Sequence, residues 1–172
     1  LQHKEEIITL TKKVSEGFQN AYRSFHAGLK NHDELEKIYI ENIDFDRANQ
    51  LANDWVKKLF PKSPQNGVGQ VKHRFLGAST PDGPVNFIEN ITEDVENRYL
   101  IKGRAGSGKS TLLKKIAKAA EERGYNVEVY HCGFDPDSLD MVIVRECNFA
   151  IFDSTPPHEY FPVKDKDMIL DL

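Results

Sequence analysis

Apolar residues in the first third of the chain recur at helical spacing. The first series steps by three, four or seven positions and forms one helix face. It consists of Ile7, Val14, Phe18, Ala21, Phe25 and Leu29. A second series of this kind ends before two prolines, which stop a helix. It consists of Leu35, Ile38, Phe45, Ala48, Leu51 or Ala52, Trp55 and Leu59. The pattern predicts two long helices over residues 1–60.

The residues between the two series predict where the first helix ends. Asn31 can cap a new helix, and Glu34 can bond back to it as in a capping box. Asp44 offers a further cap, so a kink near 43–45 is predicted as well. Helices joined by a short turn pack antiparallel. We therefore expect a helical hairpin in which the two apolar stripes face each other.

The hydrophobic pattern changes after residue 60. Residues 61–72 have the Pro, Gly and Ser content of a linker. In residues 73–172, short apolar runs alternate with an amphipathic helix over 109–123. The runs are 99–101, 127–130 and 149–152, with 141–144 as a further candidate. This order predicts an α/β fold in which a parallel sheet follows the α-helical hairpin.

Composition and charge narrow the class of protein. The 172-residue chain has a net charge of −4, which disfavours a broad nucleic-acid surface. It contains no apolar run of the roughly 18 residues that a membrane helix needs. Its two cysteines, Cys132 and Cys147, are too few for a disulfide framework and suit no zinc cluster. We expect a cytoplasmic chain without a membrane partner.

The residues at both ends indicate that the chain is a piece of a longer protein. It begins with Leu1, and its last five residues stop inside an apolar pattern without a helix-stop signal. The parallel sheet is therefore expected to be incomplete. Because an exposed sheet edge pairs with other strands, a homodimer is also predicted.

The residues GRAGSGKST (103–111) match the phosphate-binding pattern G-x-x-x-x-G-K-[ST]. The three glycines permit backbone angles that other residues avoid, so main-chain N–H groups can approach phosphate oxygens. Lys109 places a cation on the terminal phosphates, and Ser110 offers its hydroxyl to Mg²⁺. The predicted nucleotide-binding residues are Gly103, Arg104, Ala105, Gly106, Ser107, Gly108, Lys109, Ser110 and Thr111.

The surroundings of this loop distinguish it from a chance glycine-rich turn. An apolar strand precedes it and an amphipathic helix follows it. Between Asn97 and Ala120 there are seven lysines and arginines and no acidic residue. A cationic segment in an acidic chain favours an anionic ligand. The chain has no N-K-x-D motif of the kind that binds guanine, so ATP with Mg²⁺ is the predicted ligand.

This part of the chain resembles the P-loop NTPase superfamily. More narrowly, it is similar to a group of uncharacterised bacterial P-loop ATPases that look related to small-molecule kinases. The resemblance covers residues 73–158 and rests on RFLGASTPDG (74–83), YLIKGRAGSGKSTLLKKIA (99–117), VEVYHCGFDPDSLD (127–140) and FAIFDSTPPH (149–158). In that group, two P-loop halves are fused with a helical segment between them. The resemblance implies that residues 1–60 are this segment.

Two further residues become candidates on this resemblance. In P-loop proteins an acid at the end of an apolar strand holds Mg²⁺ through water, which points to Asp153. The alternative is an Asp that caps the next turn. His158 follows in the loop, where a His can orient a phosphate, a water or a substrate; the alternative is a loop-bracing residue. Lys109, Asp153 and His158 are the expected catalytic residues.

A polar cluster follows the predicted strand 127–130. It consists of His131, Cys132, Asp135, Asp137 and Asp140. Zinc would require more His or Cys, and calcium a Gly-centred loop with a terminal Glu. The cluster fits either a polar loop on the substrate side or a turn cap.

The residues leave three functions open. The first is Mg²⁺-dependent ATP hydrolysis, or phosphoryl transfer to a small molecule. The second is a regulatory nucleotide-binding module with little turnover, whose helices contact a partner. The third is a fragment without a competent site, since the sequence shows no Arg-bearing lid and at most three strands after the loop. The phosphate acceptor is not identifiable from the sequence.

Overall fold

The computed structural model describes residues 3–62, 67–156, 159–163, 165 and 167–172. The helices are α1 (Lys4–Ile40), α2 (Phe45–Leu59), α3 (Ile88–Ile91) and α4 (Lys109–Glu122). The strands are β1 (Val71–Phe75), β2 (Gly77–Thr80), β3 (Gly83–Asn86), β4 (Asn97–Lys102), β5 (Val127–His131), β6 (Leu139–Val144), β7 (Phe149–Asp153) and β8 (Asp167–Asp171). Residues 63–66 of the predicted linker and the candidate His158 lie outside the described residues.

Six of the described strands form one sheet in the order β1-β5-β6-β7-β4-β8. Five of them run in the same direction, and β6 is antiparallel to both of its neighbours. The predicted α/β fold is confirmed, with a mostly parallel sheet. Four described strands follow the phosphate loop, whereas the sequence indicated three at most. The additional strand, β8, uses the apolar residues near the end of the chain.

The sheet is covered on both faces because its central strands alternate their side chains between two cores. In β4, Tyr99 and Ile101 contact the core that contains α4, whereas Leu100 contacts the core that contains α3. This is the period of two that a strand imposes. Helix α4 lies on β5, β6 and β7, and α2 packs on α4. This packing fixes the start of α4 above the strand ends.

The helical region differs from the sequence prediction in the position of its turn. Helix α1 runs for 37 residues without a break at 31–34, so the predicted turn there is wrong. A capping-box pattern does not end a helix when the residues around it, largely Leu, Lys and Glu, favour helix. The helix ends instead at Ile40, and Asp44 caps α2 by accepting a bond from the Arg47 N–H at 3.0 Å.

The apolar stripe of α1 remains exposed. None of the residues of α1 is buried, and Phe18 is 57% exposed. The two helices precede the α/β sheet as predicted, but their stripes do not bury each other, since α2 packs on α4 instead. Among the described residues, no helix combines the length and the hydrophobicity that crossing a bilayer requires.

A buried ion pair joins β4 to β8. The guanidinium of Arg98 donates from Nε and Nη2 to the two carboxylate oxygens of Asp167, at 2.8 and 2.6 Å. Both side chains are at most 1% exposed. Arg98 also donates to Glu89 at 2.8 Å and to Thr92 at 3.3 Å, which attaches α3 to the sheet. These bonds satisfy a cation that burial would otherwise penalise.

Candidate phosphate-binding site

The glycine-rich loop connects the end of β4 to the start of α4. Gly106 and Gly108 adopt φ angles of 77° and 94°, in the left-handed region that L side chains avoid. Helix α4 begins at Lys109, so its unpaired N–H groups and positive dipole end face the loop. Backbone donors at a helix start are suited to phosphate oxygens.

Lys109 folds back over this loop. Its Nζ donates to the carbonyl oxygens of Gly103 at 2.8 Å and Arg104 at 2.9 Å. The same Nζ lies 3.6 Å from Oδ2 of Asp153, and the Lys109 side chain is only 10% exposed. A largely buried cation at the mouth of the loop favours binding of an anion there.

Asp153 reaches the loop because of the strand register. It ends β7 and pairs with Ile101 of β4, two residues before the loop begins. Its Oδ1 accepts bonds from the N–H and the hydroxyl of Thr155 at 3.0 and 2.6 Å. Asp153 therefore caps a turn through one oxygen and faces Lys109 through the other. The Mg²⁺ role expected from the sequence stays a prediction.

A second carboxyl lies beside Asp153. Met141 of β6 pairs with Phe152 of β7 in antiparallel register, so Asp140 at the start of β6 lies near Asp153 at the end of β7. Burial, and then the charge of Asp153, raise the pKa of Asp140 to about 6. The backbone N–H of Leu139 donates to the Ser110 hydroxyl at 3.0 Å, which ties the start of β6 to the loop. The sequence placed Asp140 in a polar loop and missed its closeness to Asp153.

The substitution Asp140→Asn is expected to stabilise the metal-free chain at neutral pH. Because the pKa of Asp140 rises to about 6 from its ordinary 3.8, folding favours the protonated carboxyl. The protonated carboxyl stabilises the fold fully below the pKa of Asp140 in the unfolded chain. This stabilisation is lost as the pH rises through about 6, the pKa in the folded chain. Asn resembles the protonated form, so near pH 8 the variant should be more stable by about 3 kcal/mol. The difference should close towards pH 4.

Urea unfolding in EDTA at several pH values measures this difference. Asp137→Asn is the matched control, because Asp137 is exposed and does not line the cavity by the loop. Its effect on stability should be small, as for most exposed substitutions. Equal stability of Asp140→Asn and the native chain near pH 8 would contradict the predicted cost of the buried charge.

A cavity of about 280 Å³ opens beside the loop. Loop residues 105–111, the end of α1 with the start of α2, and the segment after β5 form its three sides. Helix α1 touches the loop closely: a Cβ on Gly106 would stand 2.6 Å from the carbonyl oxygen of Glu36. The helical region is thus a wall of the site, which sequence patterns did not indicate.

The structure brings together only some of the candidates after β5. Cys132, Asp135 and Asp140 line the cavity, but Asp137 is exposed outside it. His131 contacts the ring of His73 at 2.8 Å between ring nitrogens, and it does not line the cavity. Arg104 is exposed within the loop. The oxygen donors around the loop, from Ser110 and the two aspartates, are of the type that Mg²⁺ prefers.

A strand, a glycine-rich loop and a helix start, with a carboxylate from the adjacent parallel strand, are the elements of a P-loop fold. The comparisons with known proteins agree with this class. A family model described as an AAA domain matches residues 83–132. The chain is 24% identical over 123 residues to the DNA mismatch repair protein MutS of Fusobacterium nucleatum subsp. nucleatum. The aligned region covers 67% of this chain but only 14% of that protein.

These two matches support placement of the chain in the P-loop NTPase superfamily. No solved structure gives a significant match. The narrower group with two fused P-loop halves is not among the matches, so that resemblance stays a prediction.

Proposed function

We propose that the chain binds ATP with Mg²⁺ and catalyses ATP hydrolysis or phosphoryl transfer. The observation that carries this proposal is the approach of Lys109 Nζ to Asp153 at 3.6 Å across the glycine-rich loop. It brings a cation and a carboxylate to the point where the helix start presents its N–H groups. Phosphoryl transfer requires this combination, because its catalysis is mostly positioning and charge stabilisation.

Each residue of the loop has a defined task in this proposal. The backbone N–H groups at the start of α4 hold phosphate oxygens, and Lys109 turns from the loop carbonyls to the terminal phosphates. Ser110 and Asp153 would hold Mg²⁺, the latter through water, with Asp140 beside them. When bound, Mg²⁺ supplies charge neutralisation on the phosphates. Lys109 and Asp153 are the catalytic residues proposed here, and His158 stays a candidate from the sequence alone.

A regulatory module with little turnover is the second candidate. It is favoured by α1, whose Glu36 contacts the loop at Gly106 while its apolar stripe remains exposed. A partner bound to that stripe would contact the same helix that touches the phosphate loop. Tight ATP binding without phosphate release, in the presence of Mg²⁺, would favour this candidate over an enzyme.

Several finer features remain proposals. They are the division into 1–60, 61–72 and 73–172, the homodimer, the small-molecule acceptor and the cytoplasmic location. We do not extend DNA mismatch repair to this chain, because the region aligned with MutS covers only 14% of that protein.

The Asp153→Asn variant tests the enzyme proposal through steady-state phosphate release. Loss of an acid that holds Mg²⁺ through water should lower turnover roughly 10- to 100-fold. EDTA should abolish turnover in the native chain. The exposed Asp137→Asn variant is the control and should behave like the native chain. Native turnover in Asp153→Asn, or turnover that survives EDTA, would contradict the proposed role.

A further inference from the structure

One side of the cavity beside the phosphate loop is apolar and has no task in phosphate binding. Ile40 at the end of α1, Ile43 in the turn, and Phe45 and Ala48 in the first turn of α2 line it. We call these four residues the apolar wall. Phe45 is 59% exposed and Ile40 is 42% exposed, so neither is used to pack the protein core. An open aromatic ring and three aliphatic side chains form a surface suited to a flat, weakly polar group.

We propose that the apolar wall binds the base of the nucleotide whose phosphates the loop holds. This inference rests on the proposed function, and it names the part of the ligand that the loop leaves unassigned. The wall and loop residues 105–111 line the same cavity, so one ligand reaches both. Base and phosphates are the two parts of a nucleotide that require such different surroundings.

The side formed by the segment after β5 is mixed. This segment contributes Asp135 and Asp140, and β7 contributes Asp153, so carboxylates line this side. Phe134 also lines it, but its ring already packs edge-on against the rings of Phe25 and His32 of α1. Carboxylates near Lys109 are suited to a metal ion and the reacting phosphate. The carboxylates therefore mark the side for the reacting end of the nucleotide, and the apolar wall, which contains no carboxylate, is the surface left for its base.

The apolar wall is held at a fixed distance from the loop. Lys115, one turn beyond the loop on α4, donates a hydrogen bond to the side chain of Asn49, which follows Ala48. Ala52, one turn further along α2, is 3% exposed and belongs to the core that includes α4. These contacts anchor the start of α2 beside Thr111, the last residue of the loop motif.

The size of the cavity agrees with a small ligand. Its volume of about 280 Å³ is near the lower bound of about 300 Å³ for small-molecule sites. A base placed on the apolar wall, with phosphates at the loop, would occupy it.

Binding of ATP compared with inorganic tripolyphosphate tests the inference, because tripolyphosphate has no base. Isothermal titration calorimetry in Mg²⁺ would be applied to the native chain and to Phe45→Ala. We expect ATP affinity to fall roughly tenfold in the variant, the loss typical of a removed aromatic–base stack. Tripolyphosphate affinity should not change. Phe18→Ala is the matched control, since Phe18 is equally exposed on α1 but lies outside the cavity.

A second variant, Ala48→Trp, adds bulk to the apolar wall and should also weaken ATP while sparing tripolyphosphate. Unchanged ATP affinity in both variants, with normal tripolyphosphate binding, would overturn the base site and leave the proposed function standing. Equal weakening of both ligands would overturn it too, because a base contact cannot affect tripolyphosphate. Failure of the native chain to bind either ligand would overturn the proposed function and this inference together.

Discussion

Replacement of Lys109 by alanine is expected to lower Mg²⁺-dependent ATP turnover roughly 100- to 1,000-fold, the effect of removing a preorganised charge from a reacting centre. In the native chain its Nζ bonds two loop carbonyls and lies 3.6 Å from Asp153. This side chain is therefore already at the loop mouth before a ligand binds, and it exchanges its bonds to the loop carbonyls for bonds to the phosphates. Steady-state phosphate release measures the change.

The matched control for this variant is Lys114→Ala. Lys114 lies on the same helix, α4, but its side chain is exposed and does not line the cavity. It should retain native turnover. Circular dichroism should show that Lys109→Ala keeps its secondary structure, since the variant also leaves Asp140 and Asp153 without their nearby cation. Native turnover in a folded Lys109→Ala chain would contradict a catalytic P-loop.

Replacement of Arg98 by leucine is expected to lower the free energy of unfolding by about 3–5 kcal/mol, the usual effect of breaking a buried ion pair. Arg98 is 1% exposed, and its bidentate partner Asp167 is 0% exposed. The variant leaves the Asp167 carboxylate buried without its cation, and carboxylate burial is expensive. Urea unfolding, followed by circular dichroism, measures the loss.

Two further variants separate the effect of burial on stability from the effect of charge. Glu89 also accepts a bond from Arg98 but is 58% exposed, so Glu89→Gln should change stability by less than about 1 kcal/mol. The double variant Arg98→Met with Asp167→Leu removes both buried charges and should recover much of the loss. A loss of under 1 kcal/mol in Arg98→Leu would show that the pair does not hold β8 to β4.

The strand–loop–helix unit was the part that the sequence predicted best. The expected helix over 109–123 is α4, and the expected runs at 99–101, 127–130 and 149–152 lie within β4, β5 and β7. These elements carry their own signals: buried strands are short apolar runs, and α4 has an amphipathic face with a glycine after it. The glycine pattern then located the loop between them.

The direction of β6 in the sheet could not be predicted from the sequence. Residues 141–144 are all buried apolar residues, and such a run has no periodicity to show which way it runs in the sheet. Since the antiparallel direction of β6 brings its first residues to the end of β7, the closeness of Asp140 to Asp153 could not be predicted either. The pairing of Arg98 with Asp167, 69 residues apart, was hidden for a similar reason, because β8 was not predicted.

The sequence did not predict that the helices line the cavity, for a different reason. The capping pattern at Asn31 and Glu34 predicted a turn that helix propensity overrides, so α1 was expected to end too early. Its actual end at Ile40 brings Glu36 against Gly106 and starts α2 beside the cavity. An apolar stripe alone does not show whether it will face a second helix, a ligand or solvent.

Calorimetric titration of the native chain and of Lys109→Ala with Mg²⁺-ATP tests the central claim most directly, which is that GRAGSGKST at 103–111 is a working phosphate site. We predict saturable binding at one site per chain, with a dissociation constant below about 1 mM, and its loss in Lys109→Ala. The absence of saturable binding to the native chain at millimolar ATP, or equal binding to the variant, would contradict the account.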